Sequence, residues 1–433
     1  GDREKIRGDA RVHFDLMRRI GLEPEPLGIT GGIKVDALLG TGIEGAPRGD
    51  YAEAIRWLNN DPQPTISVDI PSGVSSDTGR TPGEAVRATA TVTFGYPKLG
   101  MFLAPGANLV GELIVSDIGF PWHVLNLRSP YNWLRPEELK PLPARPRTAH
   151  KGVFGHVLVV GGSVGMSGAV TMTARATLRG GAGLVTVATP ASAQPLVAAK
   201  LDEAMTLSLP EKNGALCEAS FDPVREMAQR CDVVCLGPGA TREPEAQRVI
   251  ARLVRELNCP VVLDADGLNA LAAFPDSVRE RAAPTVLTPH PGECARLLGL
   301  DSEAVQADRI GAVRETAVRY RSVVVLKGAC SLIADGRCSP DQKVMDPAQI
   351  SICINTTGNP GMATGGSGDS LTGIIGALIG QQMDVYEAAC LGVYLHGRAG
   401  DLAAKTRGET ALIAGDIIEM LPQAIRELEA SER

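Results

Sequence analysis

Gly365, Gly366, Ser367 and Gly368 stand directly before Asp369, and the amphipathic run Ser370-Leu-Thr-Gly-Ile-Ile-Gly-Ala-Leu-Ile follows it. Small residues therefore open what reads as a helix. The first amides of a helix have no intrahelical acceptor, and with the helix dipole they make an anion site. A carboxylate at the mouth of such a site can take the proton of a hydroxyl as that hydroxyl attacks phosphorus. Asp is also a favoured helix cap. A cap alone, however, does not call for four small residues before it, whereas close approach of backbone to a ligand does. The string is not a P-loop, because no Gly-Lys-Ser/Thr completes it.

Other residues with chemical potential gather at predicted strand ends. Lys327 closes the apolar run Ser322–Leu326, and His290 lies between Pro289 and Pro291 with Glu293 three residues on. Asp264 and Asp266 end another strand and could serve a metal-bound phosphate or cap the turn. Lys327 could equally be a solvated strand end, and a lone His is more often structural than functional. In the first third of the chain, Asp36 and Asp69 each follow a strand, with Ser72 close behind the second. Gly40, Gly42 and Gly45 formally satisfy G-x-G-x-x-G. Pro47 and Gly49 place the third glycine in a loop and not inside a helix, which weakens the dinucleotide reading. The bland alternatives are buried strand-end carboxylates for the two Asp residues and a turn hydroxyl for Ser72.

The elements that must position these groups follow an α/β rhythm. Helices are expected over Arg11–Ile20 and Tyr51–Asn59, and strands over Ile33–Leu39, Thr65–Ile70, Thr89–Phe94 and Glu112–Ile118. Residues 122–149 hold five prolines and no apolar period, and read as a linker between a domain at 1–121 and another at 150–433. Beyond it, strands are expected at His156–Val160, Gly183–Ala188, Val233–Leu236, Val261–Asp264, Thr285–Thr288 and Ser322–Leu326. Near-continuous apolar strands separated by helices imply a mostly parallel sheet covered on both faces. Ligands bind such sheets beyond the carboxyl ends of the strands.

Composition bounds the function. The 433 residues are 44% hydrophobic and only 4% aromatic, with 49 Gly and 30 Pro, as expected of α/β folds rich in tight turns. A net charge of -7 argues against a nucleic-acid or anionic-membrane surface but not against a phosphate held by amides. No apolar run reaches the roughly 18 residues of a membrane span. No secretory signal opens the chain, and the nine cysteines are odd in number, so reduced thiols and a cytoplasmic location are expected. Cys231 and Cys235 lack the neighbours of a zinc site.

The longer string Asn359-Pro-Gly-Met-Ala-Thr-Gly-Gly-Ser-Gly-Asp369 resembles the ribokinase-like superfamily, and within it the dehydratases of hydrated NAD(P)H. His150-Lys-Gly, Gly161-Gly-Ser, Met166-Ser-Gly-Ala169, Gly237-Pro-Gly239, Leu263-Asp-Ala-Asp-Gly-Leu-Asn269, Thr288-Pro-His-Pro-Gly-Glu293 and Leu326-Lys-Gly-Ala add to the likeness over residues 150 to about 425. The resemblance implies a ribokinase-like fold with Asp369 as catalytic base. It implies contact of Lys327, Gly328, Ala329, Cys330, Ser331 and Gly368 with ADP or ATP. Ala169, Gly239, His290 and Asp369 would line hydrated NADH or NADPH, and Glu293 would help organise Mg²⁺ through water. Phosphorylating the hydroxyl at C6 of the reduced ring in the 6S epimer would turn it into a leaving group, and elimination of phosphate would restore NAD(P)H.

Val35-Asp36-Ala-Leu-Leu-Gly-Thr-Gly-Ile-Glu-Gly45 and Val68-Asp69-Ile-Pro-Ser72-Gly73 resemble the NAD(P)H-hydrate epimerase domain, a Rossmann-like α/β fold that precedes the dehydratase in many fusions. By that likeness Asp36 and Ser72 hold K⁺. Gly40, Thr41, Gly42, Ile43, Glu44, Gly45, Ala46 and Asp69 would hold the epimerase substrate. The family's Asn-rich phosphate loop is not found upstream, so the expectation is a domain lacking its N-terminal part, with epimerase activity in doubt. A homo-oligomer is expected. The competing readings are a vitamin-type kinase of the same superfamily, acting on a hydroxymethylpyrimidine or thiazole, and a nucleotide sensor without turnover.

Overall fold

The computed structural model describes residues 4, 6–23, 32–43, 45–121, 129–279, 281–337 and 345–431. The chain divides into two compact units, Gly1–Arg128 and Ser129–Arg433.

The first unit is built on a four-stranded parallel sheet of β1 (Lys34–Asp36), β2 (Thr65–Val68), β3 (Ala90–Phe94) and β4 (Glu112–Ser116), in that order. β-Branched residues suit these pleated segments. The helix Asp50–Asn60 buries Ala52, Ala54, Ile55 and Leu58, one apolar stripe of its surface. The helix Gly8–Arg19 has no buried residue. In the register of the sheet Asp36 lies beside Ser67, which brings the end of β1 to the turn that follows β2.

The second unit carries a ten-stranded sheet. Its strands are β5 (Tyr131–Trp133), β6 (His156–Val160), β7 (Leu184–Pro190), β8 (Met205–Leu209), β11 (Val233–Leu236), β12 (Val261–Leu263), β13 (Thr285–Leu287), β14 (Val323–Leu326), β15 (Leu332–Asp335) and β16 (Ile352–Ile354). A separate hairpin pairs β9 (Glu211–Lys212) with β10 (Ala215–Leu216). The sheet order is β5-β16-β15-β14-β13-β12-β11-β6-β7-β8. Strands from β14 to β8 in this order are parallel, and β14-β15-β16 are antiparallel. Central strands such as Val323–Leu326 and Val233–Leu236 are buried throughout, which requires both faces to be covered.

The reading of 122–149 as a linker is corrected for its described part. Tyr131–Trp133 pairs in parallel with β16, and Leu134 and Leu139 join the hydrophobic core. Three residues are too few for a strand's alternation to register, and the surrounding prolines mask it. Residues 122–128 lie outside the described residues.

Two features of the sheet place the site. Strand order reverses between β6 and β11, a crevice where ligands bind in such sheets. The neighbouring strands β12, β13 and β14 are followed directly by Asp264, Thr288 and Lys327, side by side. Across one face runs the helix Ser367–Gly380, buried from Ser370 onward. Glycines let it lie close to its neighbours. A Cβ on Gly373 would stand 2.2 Å from the carbonyl of Thr173 in the helix Ser167–Arg179, and one on Gly376 would stand 2.3 Å from Cys235 Sγ in β11.

Candidate active site

The helix that Asp369 opens begins as its sequence requires. Gly366 sits in the left-handed region at φ 92°, a turn that brings the chain sharply into Ser367 and that side chains resist. Asp369 lies in the first turn and is half-buried. A Cβ on Gly368 would stand 3.0 Å from Lys327 Nζ and 3.5 Å from Asp264 Oδ2. The helix mouth and the strand ends therefore meet at one place.

Lys327 is the charge centre of that place. Its Nζ donates to Asp264 Oδ1 at 2.8 Å and lies 3.9 Å from Glu293 Oε2. Asp264 is only 1% exposed, so its ionic form depends on partners. Burial opposes its charge, but Lys327 and the Thr372 hydroxyl, 2.8 Å from Oδ2, outweigh this and hold its carboxyl below the ordinary range. Burial also opposes the charge of Lys327, yet Asp264, Glu293 and Asp369 keep it protonated. The solvated-strand-end reading of Lys327 does not hold, since the side chain is engaged in a buried pair. Asp266 does not cap the turn; it accepts from Thr241 N at 2.8 Å and Asn269 Nδ2 at 3.0 Å, and so ties the turn to the loop after β11.

At Asp369 the balance goes the other way. Burial and the negative charge of Asp264 push its carboxyl up to about 7, against a smaller opposing pull from Lys327. Glu293, buried beside Asp264, is also pushed up to about 7. A carboxylate that titrates near neutrality can both accept and return a proton under physiological conditions.

His290 caps the helix Pro291–Leu298. Its Nδ1 accepts from Gly292 N at 3.0 Å, and Glu293 Oε2 accepts from His290 N at 2.8 Å. Burial, then the charge of Lys327, lowers its pKa, so the ring is neutral at pH 7. With Nδ1 an acceptor, Nε2 carries the proton and can donate. His290 thus has a structural role; its Nε2 lies 3.5 Å from Glu293 Oε1, while much of the ring remains exposed. Gly239 and Ala169 meet at the sheet's switch point, where a Cβ on Gly239 would lie 3.2 Å from that of Ala169. Gly328, Ala329, Cys330 and Ser331 form the turn after Lys327, with Cys330 at φ 52°.

Several contributors were not singled out from sequence. Thr372, one turn beyond Asp369 on the same helix face, holds Asp264. His396 is buried, its pKa pushed down to about 4 by burial, and its Nε2 lies 3.4 Å from Ser367 Oγ. Asp401 accepts from Gly358 N and Asn359 Nδ2, each at 3.0 Å, and so ties down the loop before the glycines. Arg309 is buried behind the 327–330 turn. Of these only Thr372 had a sequence signal, its three-residue spacing from Asp369.

In the first unit, Asp36 is fully buried. Its carboxylate accepts from Ser67 Oγ at 2.8 Å, Ser72 N at 2.9 Å and Ser72 Oγ at 2.6 Å. Ser72 Oγ also lies 3.2 Å from the Leu39 carbonyl. Gly40, Thr41, Gly42, Gly45 and Ala46 are exposed and Ile43 half-buried, while Glu44 lies outside the described residues. A Cβ at Gly40, Gly42 or Gly45 would meet no atom of the described residues within 4 Å. Gly45 precedes the helix Asp50–Asn60 by several residues, as Pro47 and Gly49 led one to expect. Asp69 adopts φ 68° and accepts from Phe94 N at 3.1 Å, Thr93 Oγ1 at 3.2 Å and Lys98 Nζ. Burial works against its charge, but Lys98 and Phe94 N prevail and lower its pKa. Lys98 was not anticipated. Its signal was a cation just past the carboxyl end of β3.

The sequence profile of the family described as NAD(P)H-hydrate dehydratase matches residues 157–423, more than half of the chain. The chain belongs to the NAD(P)H-hydrate repair family. A second profile, described as YjeF-related protein N-terminus, matches residues 3–100. The chain is thus a repair enzyme with a dehydratase domain behind an epimerase-type domain. The bifunctional NAD(P)H-hydrate repair enzyme of Moorella thermoacetica is 43% identical over 446 residues, covering 98% of this chain and 81% of the relative. That of Escherichia coli is 37% identical, covering 90% and 71%. A crystal structure of the ADP/ATP-dependent NAD(P)H-hydrate dehydratase of Bacillus subtilis, co-crystallised with ATP/Mg²⁺, superposes at a TM-score of 0.57. Its identity is 27%, covering 69% of this chain and 98% of that one. The ribokinase-like fold of the dehydratase domain is established by these likenesses and by the mostly parallel sheet. Among the described residues no helix is long and apolar enough to cross a membrane.

Proposed function

We propose that the second unit converts hydrated NADH or NADPH back to NAD(P)H at the expense of ADP or ATP, with Asp369 as the base. The observation that supports this most directly is a half-buried carboxyl, pushed up to about 7, at the opening of a glycine-rich helix. The glycine amides and the helix dipole face the transferred phosphoryl. Asp369 takes the proton of the C6 hydroxyl as its oxygen bonds to phosphorus. The bond from that phosphorus to the rest of the nucleotide breaks, so ATP leaves as ADP and ADP as AMP. Phosphate then departs from C6 as a proton is lost from C5, and the C5–C6 double bond re-forms. Neutral His290 donates through Nε2 to the dinucleotide, and Ala169 and Gly239 give it room. Lys327 through Ser331, with Gly368, take the nucleotide. Mg²⁺ neutralises phosphate charge when bound. Glu293, a hard oxygen donor at the same place, would help hold it through water.

We propose further that the first unit acts on the other epimer. Asp69 and the Gly40–Ala46 loop would hold the substrate. Asp36, Ser72 and the Leu39 carbonyl offer converging oxygens, the donor chemistry K⁺ prefers. The relatives' name, bifunctional, supports this reading where the sequence had left epimerase activity in doubt.

One assay tests both parts. A mixture of the epimers of hydrated NADH is incubated with the protein, Mg²⁺, K⁺ and excess ADP or ATP, and the absorbance of the reduced ring is followed. Full recovery of NADH at a rate that scales with protein is expected. Recovery that stops partway would refute the epimerase part. A stable phosphate ester with no NADH would mean a kinase, and binding without turnover would mean a sensor.

A further inference from the structure

Arg309 is a buried cation in an unexplained setting. It is the first residue of the helix Arg309–Tyr320, the end where the helix dipole disfavours positive charge. It is 8% exposed, and among the described residues no carboxylate pairs with it. Its guanidinium instead reaches the carbonyls of Leu326 at 3.4 Å, Lys327 at 3.5 Å and Cys330 at 3.3 Å, and Gln306 Oε1 at 3.4 Å. Its Nε has no partner. Long bonds to neutral acceptors do not offset burying a charge, so stability alone gives no reason for an arginine here.

What Arg309 touches is the back of the 327–331 turn. In a trans peptide the C=O and the following N–H point in opposite directions. Drawing the carbonyls of Lys327 and Cys330 inward therefore turns the amides of Gly328 and Ser331 outward. Neither amide hydrogen-bonds within the described residues. Gly328 completes the fit. At φ 139° it lies so near that a Cβ would stand 2.4 Å from Arg309 Nη1.

We propose that Arg309 is a positioning residue for the nucleotide. It holds the 327–331 turn so that the Gly328 and Ser331 amides face the anionic part of ADP or ATP, and its unpaired charge is compensated only when that anion is bound. The inference rests on the proposed nucleotide role of this turn. Arg309 itself does not reach the ligand.

Arg309→Met and Arg309→Lys, in the full chain, are compared with the unchanged protein by calorimetric titration of ADP and ATP and by steady-state kinetics. Loss of one aligned, charge-compensated amide pair should weaken nucleotide binding by roughly tenfold or more in the Met variant. The Lys variant, which keeps charge but lacks the planar fork, should be intermediate. At saturating nucleotide, kcat and the KM for hydrated NADH should stay near normal. Unchanged nucleotide affinity in a folded Arg309→Met overturns the proposal. So does an equal loss of affinity for both substrates, which would mean a merely structural role. Should the Met variant not fold, Gly328→Ala displaces the guanidinium directly. It should weaken ADP binding in the unchanged background and do so much less in Arg309→Lys, and equal effects in both backgrounds overturn the proposal. If the unchanged protein binds no nucleotide, the nucleotide reading of the turn fails first, and this inference with it.

Discussion

Replacing Asp369 with Asn changes one atom and removes the only basic function of the side chain, while keeping its shape at the helix mouth. The structure makes two opposite predictions for activity and stability. The carboxyl rises from 3.8 to about 7, which at roughly 1.4 kcal/mol per pH unit puts up to about 4 kcal/mol against its ionised form. Because the folded value lies above the unfolded one, the native state keeps the proton longer. Stability therefore falls as pH rises from about 4 to about 7, and the cost is fully present above that window. Asn never ionises. The variant should match the unchanged protein at pH 4 and exceed it at pH 8, with the Tm of the dehydratase domain raised by at least about 2 °C. Activity should go the other way, falling by roughly a hundredfold or more once the base is gone. In the unchanged protein, kcat/KM should climb with pH up to about 7 and then level off. Glu293 titrates in the same range, and the two carboxyls share their steps. Glu293→Gln separates them, because it should preserve the climb. The assay is the return of NADH absorbance from hydrated NADH with ADP or ATP between pH 5.5 and 8.5, alongside thermal unfolding of both proteins. Near-normal turnover in Asp369→Asn, or a variant less stable than its parent at pH 8, would refute the reasoning.

Gly368→Val places branched bulk within 3.0 Å of Lys327 Nζ at the proposed nucleotide site. ADP and ATP affinity should fall by roughly tenfold or more while the fold survives, and unchanged calorimetric affinity would show that the helix mouth is not the phosphate site. In the first unit, Asp69→Asn should abolish recovery of the epimer that the dehydratase does not take, leaving the competent epimer's rate untouched. Lys98 and Phe94 N hold the Asp69 carboxyl below its ordinary range. The stability it contributes is therefore present above about pH 4 and lost as pH falls below that, and Asn should flatten this acid limb in denaturant titrations. Full recovery of a mixed-epimer sample by the variant would exclude Asp69 from epimerisation.

The groups that proved to lie together were legible one at a time, but their pairing was not. Asp369 and its glycines announced themselves because a helix mouth is local, and a dozen adjacent residues state it. The strands ending at Leu263, Leu287 and Leu326 were equally readable, since buried parallel strands are near-continuous apolar runs. That these strands are neighbours, and that Lys327 therefore reaches Asp264 across 63 residues of sequence, depends on sheet order, which periodicity does not carry. The same gap explains the misread linker. Tyr131–Trp133 is a strand only because β16 offers an edge more than two hundred residues away. It also explains why Asp264 and Asp266 looked equivalent from sequence. Two residues apart, one faces Lys327 and Thr372 and the other faces the amide of Thr241. The charge of Asp264 matters to Asp369 because Lys327 cannot neutralise three nearby carboxyls at once. Burial raises both Asp369 and Glu293, Asp264 adds to the rise, and Lys327, paired with Asp264, only partly opposes it, so both stand at about 7. The carboxyl of Asp369, the proposed base, thus stands near neutrality because it is buried beside Asp264, a meeting of helix mouth and strand ends that sheet order brings about.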